Sequence, residues 1–87
     1  MFDPLLLRTF VSLAETRSFT RTAQQLQISQ PTVSQQIRRL EAAAGRTLVT
    51  RDSRSVELTD NGEALRGFAV EILAAHDAAA AYFDTAA

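Results

Sequence analysis

The chain of 87 residues is long enough for one small domain, and it contains no cysteine and a single histidine. Disulfides, thiolate metal sites and multi-histidine metal sites are therefore excluded, and no cofactor is expected. No apolar run approaches the roughly 20 residues that span a bilayer, and the first residues lack the basic-then-apolar order of a signal peptide. We therefore expect a cytoplasmic protein with no membrane partner.

The net charge of −1 conceals an uneven distribution along the chain. Residues 17–54 contain seven arginines and two acidic residues, a balance of +5, whereas residues 55–87 contain one arginine and six acidic residues, a balance of −5. All nine basic residues are arginine, whose planar guanidinium suits forked hydrogen bonds to phosphate or guanine. A basic middle segment is what a polyanion-binding face requires, although a solvated basic surface is the plainer interpretation.

Apolar residues recur with helical spacing near the start of the chain. Pro4 suits the first turn of a helix with Asp3 as its N-cap, and the spacing predicts an amphipathic helix from about Pro4 to Glu15. A second, short helix is expected after the ETRS segment, with Ser18 or Thr20 as its cap. The QISQ segment then interrupts the helical pattern.

A third helix is predicted from Pro31, a residue that is allowed at the first position of a helix, to a stop at Gly45. Its expected buried stripe consists of Val33, Ile37, Leu40 and Ala44. At about 100° per residue, another set of side chains falls on the opposite face or its flank. This set consists of Pro31, Thr32, Ser34, Gln35, Arg38 and Arg39.

The pattern changes period over residues 46–58, where the strand-favouring runs TLVTR and SVEL flank a polar DSR segment and predict a small β hairpin. Thr59 is then expected to cap a long final helix from Asp60 to about Ala86. Apolar residues on this helix follow spacings of three and four, which is typical of a coiled-coil seam.

So long a helix cannot bury its whole seam on so small a domain, so its later turns are expected to pair with a second copy of the chain. The alternative is a frayed, alanine-rich tail. The expected dimer interface consists of Leu65, Phe68, Ile72, Ala75, Ala79, Tyr82 and Phe83.

Two short helices joined by a tight turn and followed by a hairpin predict a winged helix-turn-helix, whose third helix enters a DNA major groove. Glutamine can bond bidentately to adenine and arginine to guanine, while serine and threonine serve either base or phosphate. The residues expected to contact bases are Gln30, Pro31, Thr32, Ser34, Gln35 and Arg38. Those expected to contact phosphate are Thr20, Arg21, Arg39 and Arg51. In the wing, Ser53 and Arg54 are expected to enter the minor groove.

Several short motifs are specific: SFT, the run SQP.VS.QI..LE, Gly45 with Leu48, and the LT..G segment that ends at Gly62. Together they resemble the N-terminal DNA-binding domain of LysR-type transcriptional regulators, over about residues 5–75. The resemblance implies a mainly α winged helix-turn-helix, with three helices plus a two-stranded β wing, followed by a long linker helix that dimerises with its mate.

The resemblance also implies an organisation in which residues 1–58 form the DNA-binding domain and residues 59–87 the linker and dimerisation helix. We expect the chain to be one part of a longer regulator, whose effector-binding domain is missing here and would bind the small-molecule effector. A tetramer of the full-length protein is compatible with this organisation. Many members have arginine in place of Gln35, so the base preference at this position is open. Members also commonly have phenylalanine in place of Val49.

The function expected is that of a sequence-specific double-stranded DNA-binding transcription regulator. Its homodimer would read an imperfect palindrome, with the third helix in the major groove and the wing in the minor groove. The alternative is a helical protein–protein adaptor dimer without DNA readout, which would explain the final helix but not the basic middle segment. A small antitoxin-like DNA binder is a near neighbour in mechanism.

An enzyme is not expected, because His76 and the adjacent Asp77 do not share a helix face and no nucleophile lies at a known spacing from a histidine. A plain structural interpretation of the third helix also stays open. In it, Gln35 is merely solvated, as is Gln36, and Arg39 pairs with a nearby acid such as Glu41.

Overall fold

Four helices and one two-stranded antiparallel sheet form in a computed structural model that describes residues 2–51 and 55–86, with side chains described up to residue 84. The predicted order of three helices, a hairpin and a long helix is confirmed. The elements are α1 (Pro4–Thr16), α2 (Phe19–Leu26), α3 (Gln30–Ala44), β1 (Val49–Arg51), β2 (Val56–Leu58) and α4 (Asp60–Ala86). None of the helices in these described ranges is long and apolar enough to cross a membrane.

Side chains cap the first three helices and satisfy amides that each helix leaves unpaired. Asp3, Ser18 and Ser29 accept hydrogen bonds from first-turn amides of α1, α2 and α3, respectively. Ser18 rather than Thr20 is therefore the cap of α2, and α3 begins one residue before Pro31 because Ser29 caps it. The three helices end at left-handed residues, namely Arg17 (φ 55°), Gln27 (φ 58°) and Gly45 (φ 68°).

One apolar core joins α1, α2, α3, the sheet and the first half of α4. The predicted buried stripe of α3 and the predicted amphipathic character of α1 are confirmed, with Ala44 only partly buried at the edge of the core. The largest fully buried apolar side chains are Leu7, Phe10, Leu13, Val33, Ile37, Leu40 and Leu48. The core therefore fixes the orientation of α3, and with it the direction in which the opposite face of that helix points.

The first half of α4 packs on α1 through Leu65, Ala69 and Leu73, which are all buried. Leu65 is therefore part of the core of its own chain and is not on the exposed stripe expected for a dimer interface. The physical reason is that these three residues are spaced four apart and share one helix face. Phe68 and Ile72, in contrast, point away from the core.

A polar contact also joins α4 to α1. Arg8 donates a hydrogen bond to the Asp77 carboxylate, and His76 Nδ1 lies 3.6 Å from the same carboxylate. The hydrogen bond from Arg8 lowers the pKa of Asp77 below its ordinary value. A carboxyl group with a depressed pKa stabilises the fold at pH values above its ordinary pKa. This contribution is therefore present at neutral pH and is lost as acidification protonates Asp77. The pair is exposed, so its effect on stability is small.

The predicted hairpin is confirmed by the pairing of Val49 with Leu58 and of Arg51 with Val56. We call β1 and β2 together the wing. Its tip, residues 52–54, lies outside the described residues, and with it the predicted minor-groove residues Ser53 and Arg54. Val49, where the family pattern favours phenylalanine, is buried.

Glu41 joins α3 to the start of the wing. Its Oε2 accepts hydrogen bonds from the backbone N–H of Leu48 at 2.8 Å and of Val49 at 3.4 Å. Among the described residues Glu41 makes no ion pair with Arg39, contrary to the plain interpretation of α3. Because this carboxylate belongs to α3 itself, the wing is held at a defined position relative to that helix.

Gly62 lies in the first turn of α4, where the chain passes against the wing. The Thr59 hydroxyl accepts a hydrogen bond from Gly62 N–H at 3.0 Å, which confirms Thr59 as the cap of α4. Gly62 is buried, and a Cβ built on it would lie 2.1 Å from the carbonyl oxygen of Leu48. The glycine of the LT..G segment therefore allows the backbone of α4 to lie close to the backbone at Leu48.

Buried hydroxyls on α1 hold the two helices of the helix-turn-helix. Thr9 Oγ1 donates a hydrogen bond to Gln36 Oε1 on α3, and Ser12 Oγ donates to Gln25 Oε1 on α2 at 2.6 Å. Gln36 is therefore not merely solvated, since its side chain is partly buried and paired.

Replacing Thr9 with valine is expected to lower the free energy of unfolding by about 1–2 kcal/mol, because it leaves the Gln36 acceptor without its partner. Urea unfolding followed by circular dichroism measures the change. Thr50→Val on the exposed side of β1 is the matched control and should change stability by less than about 0.5 kcal/mol. Equal effects of the two substitutions would contradict a structural role for the Thr9 hydrogen bond.

Candidate nucleic-acid interface

The face of α3 that points away from the core carries exposed polar side chains. Gln35, Arg38 and Arg39 are exposed, as are Gln30 and Pro31 at the start of the helix. Within the described part of the chain, the side chains of Gln35, Arg38 and Arg39 have no hydrogen-bond or ion-pair partner. We call these five residues the polar face of α3. Its amide and guanidinium groups are free to bind an external ligand.

A cleft of about 650 Å³ lies between the start of α2, the first half of α3 and the wing. It brings together six of the residues that the sequence predicts as DNA contacts: Thr20, Gln30, Pro31, Ser34, Arg38 and Arg51. Thr32, Gln35, Arg21 and Arg39 do not line it. Gln35 and Arg39 extend the same surface further along α3, while Arg21 is exposed on α2.

The start of α2 suits a phosphate group. Thr20 and Arg21 are exposed in its first turn, at the positive end of the helix dipole. Thr32, at the start of α3, is partly buried, and its hydroxyl shares a hydrogen bond of 2.8 Å with the capping Ser29. The Thr32 hydroxyl is therefore already engaged within the chain.

Arg51 is held within the cleft rather than extended from the wing. The central carbon of its guanidinium lies 4.4 Å from the centroid of the Phe19 ring. Its Nη1 donates a hydrogen bond of 3.1 Å to Ser34 Oγ. Arg51, which the sequence predicts as a phosphate contact, is thus hydrogen-bonded to Ser34, which the sequence predicts as a base contact.

Arg17 forms another link between the helices and the wing, and it is not among the site residues predicted from the sequence. Its Nη1 donates to Glu57 Oε2 on β2 at 2.7 Å, and its Nε donates to the carbonyl of Ala14 at 3.1 Å. In the sequence, the position of Arg17 within the basic segment was its only indication of a role at the site. The pair is exposed and adds little stability, but it places a guanidinium at the rim of the cleft.

A second surface, on α4, is apolar and exposed. Phe68 is 64% exposed and Ile72 40%, and further along the helix Tyr82 is 67% and Phe83 70% exposed. Tyr82 and Phe83 pack edge to face, with ring centroids 5.1 Å apart. We call the exposed side chains among those predicted for the dimer interface the α4 stripe, which consists of Phe68, Ile72, Ala75, Ala79, Tyr82 and Phe83.

A helix-turn-helix whose second helix exposes a polar face beside a two-stranded wing defines the chain as a winged helix-turn-helix protein. Residues 5–63 match the family described as "Bacterial regulatory helix-turn-helix protein, lysR family". The chain belongs to this family.

Named relatives are transcription regulators. The chain is 55% identical over 73 residues to the HTH-type transcriptional regulator BudR of Raoultella terrigena, a match that covers 84% of this chain and 25% of BudR. It is 49% identical over 67 residues to IlvY of Escherichia coli, covering 77% of this chain and 23% of IlvY. The chain thus spans about a quarter of the length of these two relatives.

Solved structures with the same fold include two complexes with DNA. The BenM_DBD/catB site 1 DNA complex matches with a TM-score of 0.90 and 34% identity over 97% of this chain and 94% of that chain. The CbnR_DBD–DNA complex matches with a TM-score of 0.91 and 30% identity over 98% of both chains. These similarities cover α4 as well as the wing and the first three helices.

Proposed function

We propose that this chain is the DNA-binding part of a transcription regulator and that α3 reads base edges in the major groove. The observation that carries the proposal is the polar face of α3, where Gln35, Arg38 and Arg39 are exposed and have no partner among the described residues. Glutamine and arginine are the side chains that bond bidentately to adenine and guanine. The similarity to two protein–DNA complexes supports the same conclusion.

Phosphate contacts supply the affinity in this proposal, and base contacts supply the specificity. Thr20 and Arg21 at the start of α2 meet one strand of the backbone, while Arg39 meets another segment of it. Ser53 and Arg54 of the wing tip remain proposed minor-groove contacts on the strength of the sequence. Affinity should therefore fall steeply as the salt concentration rises.

We further propose that two chains pair through the α4 stripe, so that two copies of α3 reach successive major grooves of an imperfect palindrome. Residues 59–87 then serve as a linker and dimerisation helix, and residues 1–58 as the DNA-binding domain. The regulator of which this chain would be a part is non-enzymatic and cytoplasmic. Its small-molecule effector would bind to a further domain, and a tetramer of the full-length regulator is compatible with this pairing.

Gln35→Ala is expected to reduce the discrimination between a preferred and a scrambled site by about 1–3 kcal/mol, because it removes a base contact. Arg21→Ala should weaken both sites equally, because a phosphate contact does not depend on sequence. The preferred site is first obtained by selection from random duplex DNA, and the dissociation constants are then measured at one stated salt concentration. Unchanged discrimination in Gln35→Ala would contradict the role of Gln35 in base readout.

The same selection separates the proposed function from the adaptor alternative. A DNA reader enriches a recurring motif, whereas a protein–protein adaptor dimer enriches none. The proposal fails if the folded, dimeric chain enriches no motif at low salt.

A further inference from the structure

The wing is fastened to the helices at both ends of β1. At its start, Glu41 accepts hydrogen bonds from the amides of Leu48 and Val49. At its end, Arg51 reaches across the cleft to Phe19 of α2 and Ser34 of α3. One side chain of the wing therefore contacts both helices of the helix-turn-helix.

The Phe19 ring is a fixed platform for the Arg51 guanidinium. Phe19 is partly buried and packs against the core, so its exposed face cannot shift without disturbing α2. A planar guanidinium stacks on an aromatic face more effectively than an ammonium group does, and its fork still offers donors to a neighbour. Here that neighbour is Ser34, on the flank of the polar face of α3.

We propose that Arg51 is a positioning residue, which holds the wing at a fixed distance from α3 and thereby fixes the spacing between the major-groove and minor-groove contacts of one half-site. The inference rests on the proposed function and deepens it. Arg51 then acts through Phe19 and Ser34, instead of serving mainly as the phosphate contact that the sequence predicts. Ser34 correspondingly orients the wing and is not mainly a base contact.

The two roles of Arg51 differ in their dependence on charge. A phosphate contact needs a positive charge and is largely retained when lysine replaces arginine. Loss of one phosphate contact reduces the slope of log K against log salt concentration by about 0.9. A positioning contact needs the planar stack, so it is lost on replacing either Arg51 or Phe19, even when no charge is removed.

The test compares Phe19→Leu, Arg51→Lys and the double variant, all with the charge of the wild-type chain, on the selected DNA site over a series of salt concentrations. We expect each single variant to bind about three- to tenfold more weakly, with an unchanged salt dependence. The double variant should be no weaker than the weaker single variant. Arg21→Gln is the control, and it should lower the salt dependence by about 0.9.

The proposal is overturned if Arg51→Lys binds like the wild type, or if the effects of Phe19→Leu and Arg51→Lys multiply in the double variant. A second measurement needs no DNA: hydrogen exchange of the β1 and β2 backbone amides should be faster in both single variants than in Arg21→Gln. Unchanged exchange would also overturn the proposal. If the wild-type chain enriches no DNA motif, the proposed function fails, whereas the exchange rates still decide whether Arg51 fastens the wing.

Discussion

Replacing Gly62 with alanine is expected to lower the free energy of unfolding by about 2 kcal/mol. A Cβ at this position would lie 2.1 Å from the carbonyl oxygen of Leu48, so α4 and the wing would have to separate. Overpacking of a well-packed interior costs about 1–3 kcal/mol, and a clash with backbone lies at the upper end because no side chain can rotate away. Alanine favours a helix over glycine by about 1 kcal/mol, which offsets only part of the cost.

Gly67→Ala is the matched control for this substitution. Gly67 lies on the same helix and is exposed, and a Cβ on it would meet no atom from another part of the fold within 4 Å. Alanine should therefore stabilise the chain by about 0.5–1 kcal/mol. Thermal and urea unfolding of both variants measure the difference. If Gly62→Ala were as stable as Gly67→Ala, the close approach of the wing and α4 would not exist in solution.

Replacing Ile72 with aspartate is expected to weaken pairing of two chains by about 100-fold or more. Ile72 lies in the middle of the α4 stripe, where an unpaired carboxylate buried against a partner would cost about 3 kcal/mol or more. Sedimentation equilibrium gives the dimer dissociation constant. Binding to a palindromic DNA site should fall as well, because each α3 would then bind its half-site alone.

Val70→Asp is the control for the α4 stripe. Val70 is 52% exposed and lies two residues from Ile72, about 160° around the helix axis from it at about 100° per residue. The same charge introduced there should leave the dimer intact. If Ile72→Asp remained a dimer and Val70→Asp were a monomer, the interface would lie on the opposite face of α4.

The helices and the hairpin follow from local patterns in the sequence. Pro4 and Pro31 lie in the first turns of helices, Gly45 ends one, and the change of period over residues 46–58 marks the wing. These signals depend on neighbouring residues only, which is why they are visible without a structure. The polar face of α3 follows as well, since the buried stripe from Val33 to Leu40 determines what lies opposite it.

The contacts that fasten the wing were not predictable, because their partners are far apart in the chain. Arg51 pairs with Ser34, 17 residues away, and Arg17 with Glu57, 40 residues away. Sequence alone shows a basic segment and does not reveal which arginines are occupied internally. Leu65 illustrates the same limit on α4, because it fits the spacing of the seam, yet the fold of its own chain buries it.

The division of α3 into free and occupied side chains bears on how new DNA specificities are made. A library that varies Gln30, Gln35, Arg38 and Arg39 changes groups without internal partners among the described residues, so most of its members should fold. The paired polar residues on this helix are Thr32, Ser34, Gln36 and Glu41. Keeping these four constant allows the base contacts to be changed without altering the contacts that hold the fold together.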